Sequence, residues 1–167
     1  ILKRLEYLYT RVSKSLFFIT AGISGLFLPW TEDIILLTLG PDYLGASIVL
    51  MIMFLYPAHQ ALNLVVVTSF LALEFTKHLS IISSLSTLIG VFVLYYFLAP
   101  NNYAFPGLEL GALGLALKFI LIQYLYVNVA IYWLCKKMDW NTTFIYQTLV
   151  FPFMIGIGFL ISAITNL

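Results

Sequence analysis

The sequence predicts an all-α integral membrane protein that folds as a bundle of about five transmembrane helices. Two observations predict this class. Hydrophobic residues make up 62% of the 167 residues and charged residues only 9%, whereas a soluble domain carries about 25% charged residues. The apolar residues also gather into five long runs, separated by short polar breaks. Because the lipid interior offers no water to the backbone, each run must be helical.

The positions of lysine and arginine add a topology to this class. Two of the breaks, 29–43 and 99–110, contain neither residue, whereas the breaks that alternate with them are basic. Seven of the eight basic residues lie in these basic segments: Lys3, Arg4, Arg11, Lys14, Lys77, Lys136 and Lys137. Cytoplasmic loops of membrane proteins favour Lys and Arg. We therefore expect a multi-pass protein with a cytoplasmic amino terminus and an outer carboxyl terminus.

The first span is predicted at about 15–39 with a break at 29–33. Residues 1–14 alternate apolar and basic side chains at helical spacing, which predicts an amphipathic lead-in at the inner interface. Pro29 should break the helix, and Glu32 and Asp33 are too costly for the hydrocarbon core. Since about 20 residues are needed to cross a membrane, we expect 34–39 to form a short interfacial or buried helix.

The other spans are predicted at about 46–73, 79–98, 111–134 and 144–164. Pro57 lies near the middle of the second, and the fifth contains Pro152, Gly156 and Gly158. These residues predict kinked helices that meet at small-residue or polar contacts. Residues 1–167 are interpreted as a single transmembrane domain. The start at Ile1, with no evident cleavable signal, and the end just after an apolar run suggest a piece of a longer membrane protein.

Composition and residue pattern disfavour several functional classes. The net charge of +1 argues against a nucleic-acid binder, which would show a basic patch. His59 and His78 are far apart in the predicted topology, and no carboxylate stands at a metal-ligand spacing from either. No glycine-rich phosphate loop or serine elbow is present. The sequence therefore predicts a protein that is not an enzyme and needs neither cofactor nor metal.

The first candidate site is a polar cluster in the second span, formed by His59, Gln60 and Asn63 next to Pro57. His59 and Asn63 are one helical turn apart and are expected to share a face, with Gln60 offset. Intramembrane polar residues commonly face a cavity or the bundle interior. Two interpretations stay open: a cavity lining that contacts a polar head group or relays a proton, and helix–helix hydrogen bonding near Pro57.

Lys118 is the second candidate, because it is the one basic residue inside a run. It lies about 10 Å along the fourth span from Gly111, on one face with Gly111 and Gly114. It could face a central cavity and attract a phosphate or carboxylate, or it could snorkel to the outer interface or pair with Glu109. Further along this span, Gln123 and Asn128 are expected on other faces, where they would join helices.

Two segments carry a resemblance to a known family. Gly40, Tyr43 and Ala46 follow an apolar lead-in and open a long span. This stretch resembles the Gly-x-x-Tyr-x-x-Ala segment of polysaccharide flippases, which belong to the multidrug, oligosaccharidyl-lipid and polysaccharide exporter superfamily. The later stretch 111–116 resembles the Gly-x-x-Gly-x-Ala segment with which that family opens another span. The match covers about residues 1–137.

The resemblance implies that the chain is part of the second lobe of a two-lobed, MATE-like transporter, at about spans nine to thirteen. Such proteins move lipid-linked oligosaccharide across the bacterial inner membrane by alternating access. The implied partners are the lipid bilayer, the lipid-linked glycan and an N-terminal lobe of the same protein. The chain departs from the family pattern in showing one copy of the Tyr-containing segment. No cation-coordinating motif of the family can be placed on it.

Three other functions remain alternatives. A drug or cation antiporter of the same superfamily would usually need a buried carboxylate, whereas all seven acids are expected near interfaces. A membrane-embedded transferase of cell-envelope assembly would need a converging cluster of His, Asp and Glu, and none is visible. A structural membrane subunit would be favoured if Lys118 and His59 both faced other helices or lipid.

Overall fold

A computed structural model describes residues 2–102 and 105–165, and Ile1, Tyr103, Ala104, Asn166 and Leu167 lie outside it. The described residues contain helices and no strand. Among them, five helical segments are long and apolar enough to cross a membrane. The all-α class and the expectation of about five apolar spans are therefore confirmed.

The five segments are built from seven α-helices and two short 3₁₀ turns among the described residues. The 3₁₀ turns are Leu28–Trp30 and Pro41–Ala46. The α-helices are α1 (Leu2–Phe27), α2 (Thr31–Thr38), α3 (Ser47–Met53), α4 (Tyr56–Ala72), α5 (Thr76–Leu98), α6 (Gly111–Met138) and α7 (Phe144–Thr165).

The first segment breaks earlier and more briefly than predicted. The amphipathic lead-in and the first span form one continuous helix, α1, which ends at Phe27. Pro29 lies in the 3₁₀ turn that follows, and the helix resumes at Thr31 rather than beyond residue 33. The buried Thr31 hydroxyl donates to the Leu28 carbonyl at 2.5 Å and holds this turn. Glu32 and Asp33 then occupy the exposed first turn of α2, where the helix dipole favours negative charge.

Pro57 lies near the middle of the second segment, Pro41–Ala72, as predicted, and the helix is interrupted beside it rather than only kinked. The α-helix stops at Met53, and α4 begins at Tyr56 with Pro57 in its first turn. A proline ring clashes with the carbonyl four residues earlier, which here belongs to Met53. At the start of a helix the missing N–H of proline costs nothing, because no partner is required there. The second segment therefore combines a 3₁₀ turn, α3 and α4.

The central pair of the bundle is α4 and α6. Helix α1 packs against α4 on one side and against α7 on the other, while α5 packs along α6 and touches α4 less. The core fills the space between α1, α4 and α6, and its large, almost fully buried side chains are Phe17, Leu62, Val66, Phe70, Val127, Ile131 and Leu134. Outside this core, each of the helices α1 to α7 also carries exposed large apolar side chains, as a lipid-facing bundle requires.

One end of the bundle gathers the seven basic residues, and we call it the basic end. The ring of Tyr9 packs at 5.3 Å on that of Trp140, and the backbone N–H of Asn141 donates to Glu6 Oε1 at 3.2 Å. These contacts tie the start of α1 to the loop between α6 and α7. The acids of this end are Glu6, Glu74 and Asp139, and those of the opposite, acidic end are Glu32, Asp33, Asp42 and Glu109. That the basic end faces the cytoplasm stays a prediction.

Helices α1 and α7 cross at two glycines. A Cβ atom added at Gly158 would overlap the Gly25 carbonyl, and one added at Gly25 would overlap the Met154 backbone. Between membrane helices there is little hydrophobic drive, so close backbone packing at small residues supplies much of the attraction. The expected small-residue contact of the fifth span thus involves Gly158, whereas Gly156 has nothing within 4 Å of an added Cβ.

We predict that Gly158→Ala destabilises the bundle by about 1–3 kcal/mol, the usual cost of overpacking. Thermal unfolding in detergent, followed by tryptophan fluorescence, measures the effect. Gly156→Ala is the matched control, since it adds the same methyl group to the same helix in open space and should be neutral or slightly stabilising. Equal unfolding temperatures for the two variants would contradict the proposed crossing.

Candidate functional site

Two polar cavities flank the central pair of helices. The first lies between α4, α5 and α6, has a volume of about 380 Å³ and contains Lys118, so we call it the Lys118 groove. The second lies between α1, α4, α6 and α7, has a volume of about 340 Å³ and contains His59, so we call it the His59 cavity. The four predicted site residues are therefore not gathered in one place.

Lys118 is half-buried and faces α5 across a glycine. A Cβ atom at Gly90 would lie 3.5 Å from Lys118 Cε, so glycine leaves room for the lysine stem. One turn earlier, Gly114 lies close to Phe97 of α5, so this part of the predicted small-residue face does meet a helix. The Lys118 amine lies 4.6 Å from the centroid of the Phe119 ring, a cation–π distance.

The Lys118 amine does not pair with Glu109, and no other carboxylate of the described residues forms an ion pair with it. The groove is lined by polar side chains from three helices (Asn63, Ser83, Ser86, Thr87 and Gln123) and by apolar ones such as Val91 and Ile122. The Thr87 hydroxyl donates to the Ser83 carbonyl and the Gln123 amide to Gln60. The donors that remain beside the Lys118 amine are therefore the Asn63 amide and the Ser83 and Ser86 hydroxyls. Amine, amide and hydroxyl groups donate hydrogen bonds, and donors next to a cation suit phosphate or carboxylate oxygens. The groove therefore has the chemistry of an anion site inside a membrane helix bundle.

Gln60 and Gln123 join the two central helices directly. Gln123 Nε2 donates to Gln60 Oε1 at 2.9 Å, which is the helix–helix hydrogen bonding proposed for this cluster. Gln123 joins helices as expected, and although its spacing puts it on another face of α6 than Lys118, both residues line the same groove. The bond also holds α4 and α6 together between the two cavities.

His59 and Asn63 line different cavities, although they are one helical turn apart. Asn63 lines the Lys118 groove, whereas His59 lines the other cavity. The His59 ring is 8% exposed and contacts the rings of Phe17, Tyr124 and Phe151 at 6.0, 5.2 and 5.7 Å. The two residues share a face of α4 through their spacing, yet they line different cavities, because the helices on either side of α4 give these two positions different neighbours. His59 and Lys118 face different parts of the bundle.

The remaining polar groups of the His59 cavity come from α6 and α7. Asn128 Nδ2 donates at 2.9 Å to the Tyr124 carbonyl of its own helix, so its expected role in joining helices is wrong. The buried Gln147 donates at 3.2 Å to Thr143 Oγ1, also one turn away. None of the residues lining this cavity is charged.

Sequence reasoning missed several lining residues that carried a readable signal. Ser83, Ser86 and Thr87 stand at i, i+3 and i+4, the spacing of one helix face. Gln147 is a lone amide near the start of the last apolar run. Tyr124 gave no signal, because tyrosine is also frequent on lipid-facing surfaces near the interfaces.

Comparison of the chain with family models, with curated proteins and with solved structures finds no match. The resemblance to polysaccharide flippases therefore rests on the two segments quoted above. Among the described residues, no group of three or more His, Cys, Asp or Glu side chains is placed to hold a metal ion.

The Gln60–Gln123 bond should show as a coupling between the two positions. Gln60→Leu, Gln123→Leu and the double variant form a double-mutant cycle, with unfolding free energies measured in detergent. Hydrogen bonds between membrane helices average about 0.6 kcal/mol and reach about 1.7 kcal/mol in such cycles, and we expect a coupling in that range. The control is a second cycle that combines Gln60→Leu with Asn128→Leu, since Asn128 bonds to its own helix. An equally large coupling in this control would contradict a direct bond between Gln60 and Gln123.

For His59 we predict that shape matters more than the ring nitrogens. His59→Phe should keep most of the stability because the site is lined by aromatic rings, whereas His59→Ala should cost about 2–5 kcal/mol through the cavity it leaves. Thermal unfolding of the two variants in detergent tests this. A loss for His59→Phe as large as that for His59→Ala would show that a polar contact of the imidazole dominates.

Proposed function

We propose that this chain is part of a bacterial inner-membrane transporter that flips a lipid-linked oligosaccharide by alternating access. In this proposal the Lys118 groove contacts an anionic group of the substrate, such as its phosphate, and no covalent chemistry takes place. The resemblance of the segments at Gly40–Ala46 and Gly111–Ala116 suggests the substrate class. Residues outside this chain, including an N-terminal lobe, would complete the transport pathway.

The observation that carries the proposal is the position of Lys118 in a polar groove within a membrane-spanning helix. A lysine inside a spanning helix is costly, up to about 2.5–3.5 kcal/mol at the helix centre on insertion scales, so such residues usually mark a functional path. No carboxylate among the described residues neutralises this one. An anionic substrate group would supply the missing countercharge for part of the transport cycle.

The distribution of acids favours this function over a drug or cation antiporter. All seven acidic residues lie at the two ends of the bundle, and Glu6, the least exposed of them, is bonded to the Asn141 backbone. An antiporter for cations would use a carboxylate inside the bundle. The single charge in the interior of this bundle is positive, which suits an anion.

The openness of the groove supports a larger assembly. The walls of the groove come from α4, α5 and α6. Helix α5 packs along α6 but contacts α4 much less, so the groove is least closed between α4 and α5. In a two-lobed transporter such a boundary would face the other lobe across a central pathway. We therefore propose that the lipid-linked substrate reaches Lys118 from the α4–α5 side.

To test this proposal, Lys118→Gln and Lys118→Arg would be made in the protein at its full natural length. A hydrogen bond between charged groups contributes about 1.5–3 kcal/mol, so Lys118→Gln should weaken binding of a polyprenyl-diphosphate oligosaccharide by roughly 10- to 100-fold. Binding is measured by native mass spectrometry and flipping in proteoliposomes. Lys118→Arg keeps the charge and should retain a larger share of both.

Lys137→Gln is the matched control, since it removes one positive charge at the exposed basic end. It should bind and flip the substrate as the parent protein does. If Lys118→Gln also leaves both unchanged, the groove is not the anion site. If neither parent nor variants flip the glycan, the flippase proposal itself fails.

A further inference from the structure

A third cavity lies between α1 and α4 at the basic end, away from both polar cavities, and we call it the α1–α4 groove. Its volume is about 460 Å³. Side chains of α1 form one wall and those of α4 the other, and Trp140 from the loop after α6 contributes to one end. The aliphatic residues among its lining are Leu5, Leu8, Val12, Leu16, Leu64, Val65, Ala72 and Leu73.

The walls of this groove offer little to a polar ligand. Its two lining hydroxyl groups on α4 are already used, because Thr68 donates to the Leu64 carbonyl and Ser69 to the Val65 carbonyl, each at 2.7 Å. The hydroxyl of Tyr9 has no partner among the described residues, but the atom is fully buried and so lies out of reach of a ligand in the groove. A sugar or phosphate inside the groove would therefore lose hydrogen bonds to water without replacement. The lining is suited to a hydrocarbon chain.

The length of the groove matches one leaflet of a bilayer. Leu5 and Leu16 both line it and are eleven residues apart on one helix, which is about 17 Å at 1.5 Å per residue. The hydrocarbon core of a bilayer is about 30 Å thick, so each leaflet contributes about 15 Å. One extended acyl chain of one leaflet would run along the groove.

Positive charge stands beside the open end of the groove. Arg4 and Arg11 are exposed and lie four residues before and three residues after Leu8, so they share its side of α1. Arg11 Nη1 donates to the Tyr7 hydroxyl at 3.2 Å, which leaves the other N–H groups of its guanidinium for a phosphate. Seven basic and three acidic residues occupy this end of the bundle. Trp140 and Tyr9, which pack together at the same level, are the residue types that occupy the headgroup region.

From these observations we propose that the α1–α4 groove binds an anionic phospholipid of the leaflet at the basic end. One acyl chain lies between α1 and α4, and the phosphate group lies against Arg4 and Arg11. The site is independent of the flippase proposal, because it is distinct from the Lys118 groove and requires no transport. The lipid would fix the position of α1 relative to α4, the pair that forms one side of the His59 cavity.

Trp140 provides a direct test, since a brominated acyl chain quenches a tryptophan that it touches. The full-length protein is reconstituted in zwitterionic phosphatidylcholine and titrated with brominated phosphatidylglycerol or brominated phosphatidylcholine. The difference in quenching between the parent protein and Trp140→Phe isolates the signal of Trp140. We expect phosphatidylglycerol to quench Trp140 at lower mole fraction than phosphatidylcholine does.

The double variant Arg4→Gln/Arg11→Gln should reduce the preference of the groove for phosphatidylglycerol over phosphatidylcholine by roughly 10-fold, since each basic residue near a membrane surface attracts anionic lipid. The matched control is Lys136→Gln/Lys137→Gln, which removes the same charge from the same end on another helix and should keep the preference. A third variant, Leu8→Trp in the Trp140→Phe background, places a new reporter in the groove and should show the same lipid preference.

Three results would overturn the proposal. Equal quenching by the two brominated lipids would show a groove that takes any acyl chain. An equal loss of preference in the lysine control would show general attraction of anionic lipid to the basic end. No quenching of Trp140 or of the Leu8→Trp reporter by either lipid would show that another protein segment fills the groove.

Discussion

The contact between α4 and α6 is the interaction on which the other features of this bundle depend. Valine, isoleucine and leucine side chains of the two helices share the core, and the Gln60–Gln123 bond adds a polar link. A hydrogen bond inside lipid has no competing water, and it fixes the register of two helices as well as stabilising them. This pair separates two cavities. The Lys118 groove lies on the side where α5 packs, and the His59 cavity lies on the side where α1 and α7 pack.

The charged residues act as a second constraint, in which the two ends of the bundle differ in sign. Helices that cross in alternating directions return every basic loop to the same end, so residues distant in sequence become neighbours around Tyr9 and Trp140. Lys118 is the exception, because it lies inside a spanning helix. Burying a charge there costs free energy, which makes the groove around Lys118 a candidate functional site. The two proposals about anions, one at Lys118 and one at the basic end, both rest on this distribution of charge, as does the position of all seven acids at the ends of the bundle.

Much of the fold was predictable because apolar runs of about 20 residues have few alternatives in a membrane. The site was less predictable. The sequence singled out Lys118, His59, Gln60 and Asn63, yet helical spacing alone could not show that His59 and Asn63 line different cavities or that Gln123 shares a groove with Lys118. Spacing gives the direction of a side chain around its own helix, but the neighbour in that direction depends on how the helices pack. The sequence also predicted a kink at Pro57 without deciding its form, since a proline can begin a helix as well as kink one, and here it begins α4.

The sequence by itself determined the class, the number of apolar spans and the segregation of charge, because each follows from local composition and from the cost of polar groups in lipid. Only the tertiary structure decided that α1 and α7 cross at Gly25 and Gly158, that His59 is enclosed by aromatic rings and that Lys118 faces a polar groove. These features depend on which helix faces meet. Apolar faces of similar composition attract one another almost equally in lipid, so close packing at small residues and a few hydrogen bonds select the arrangement.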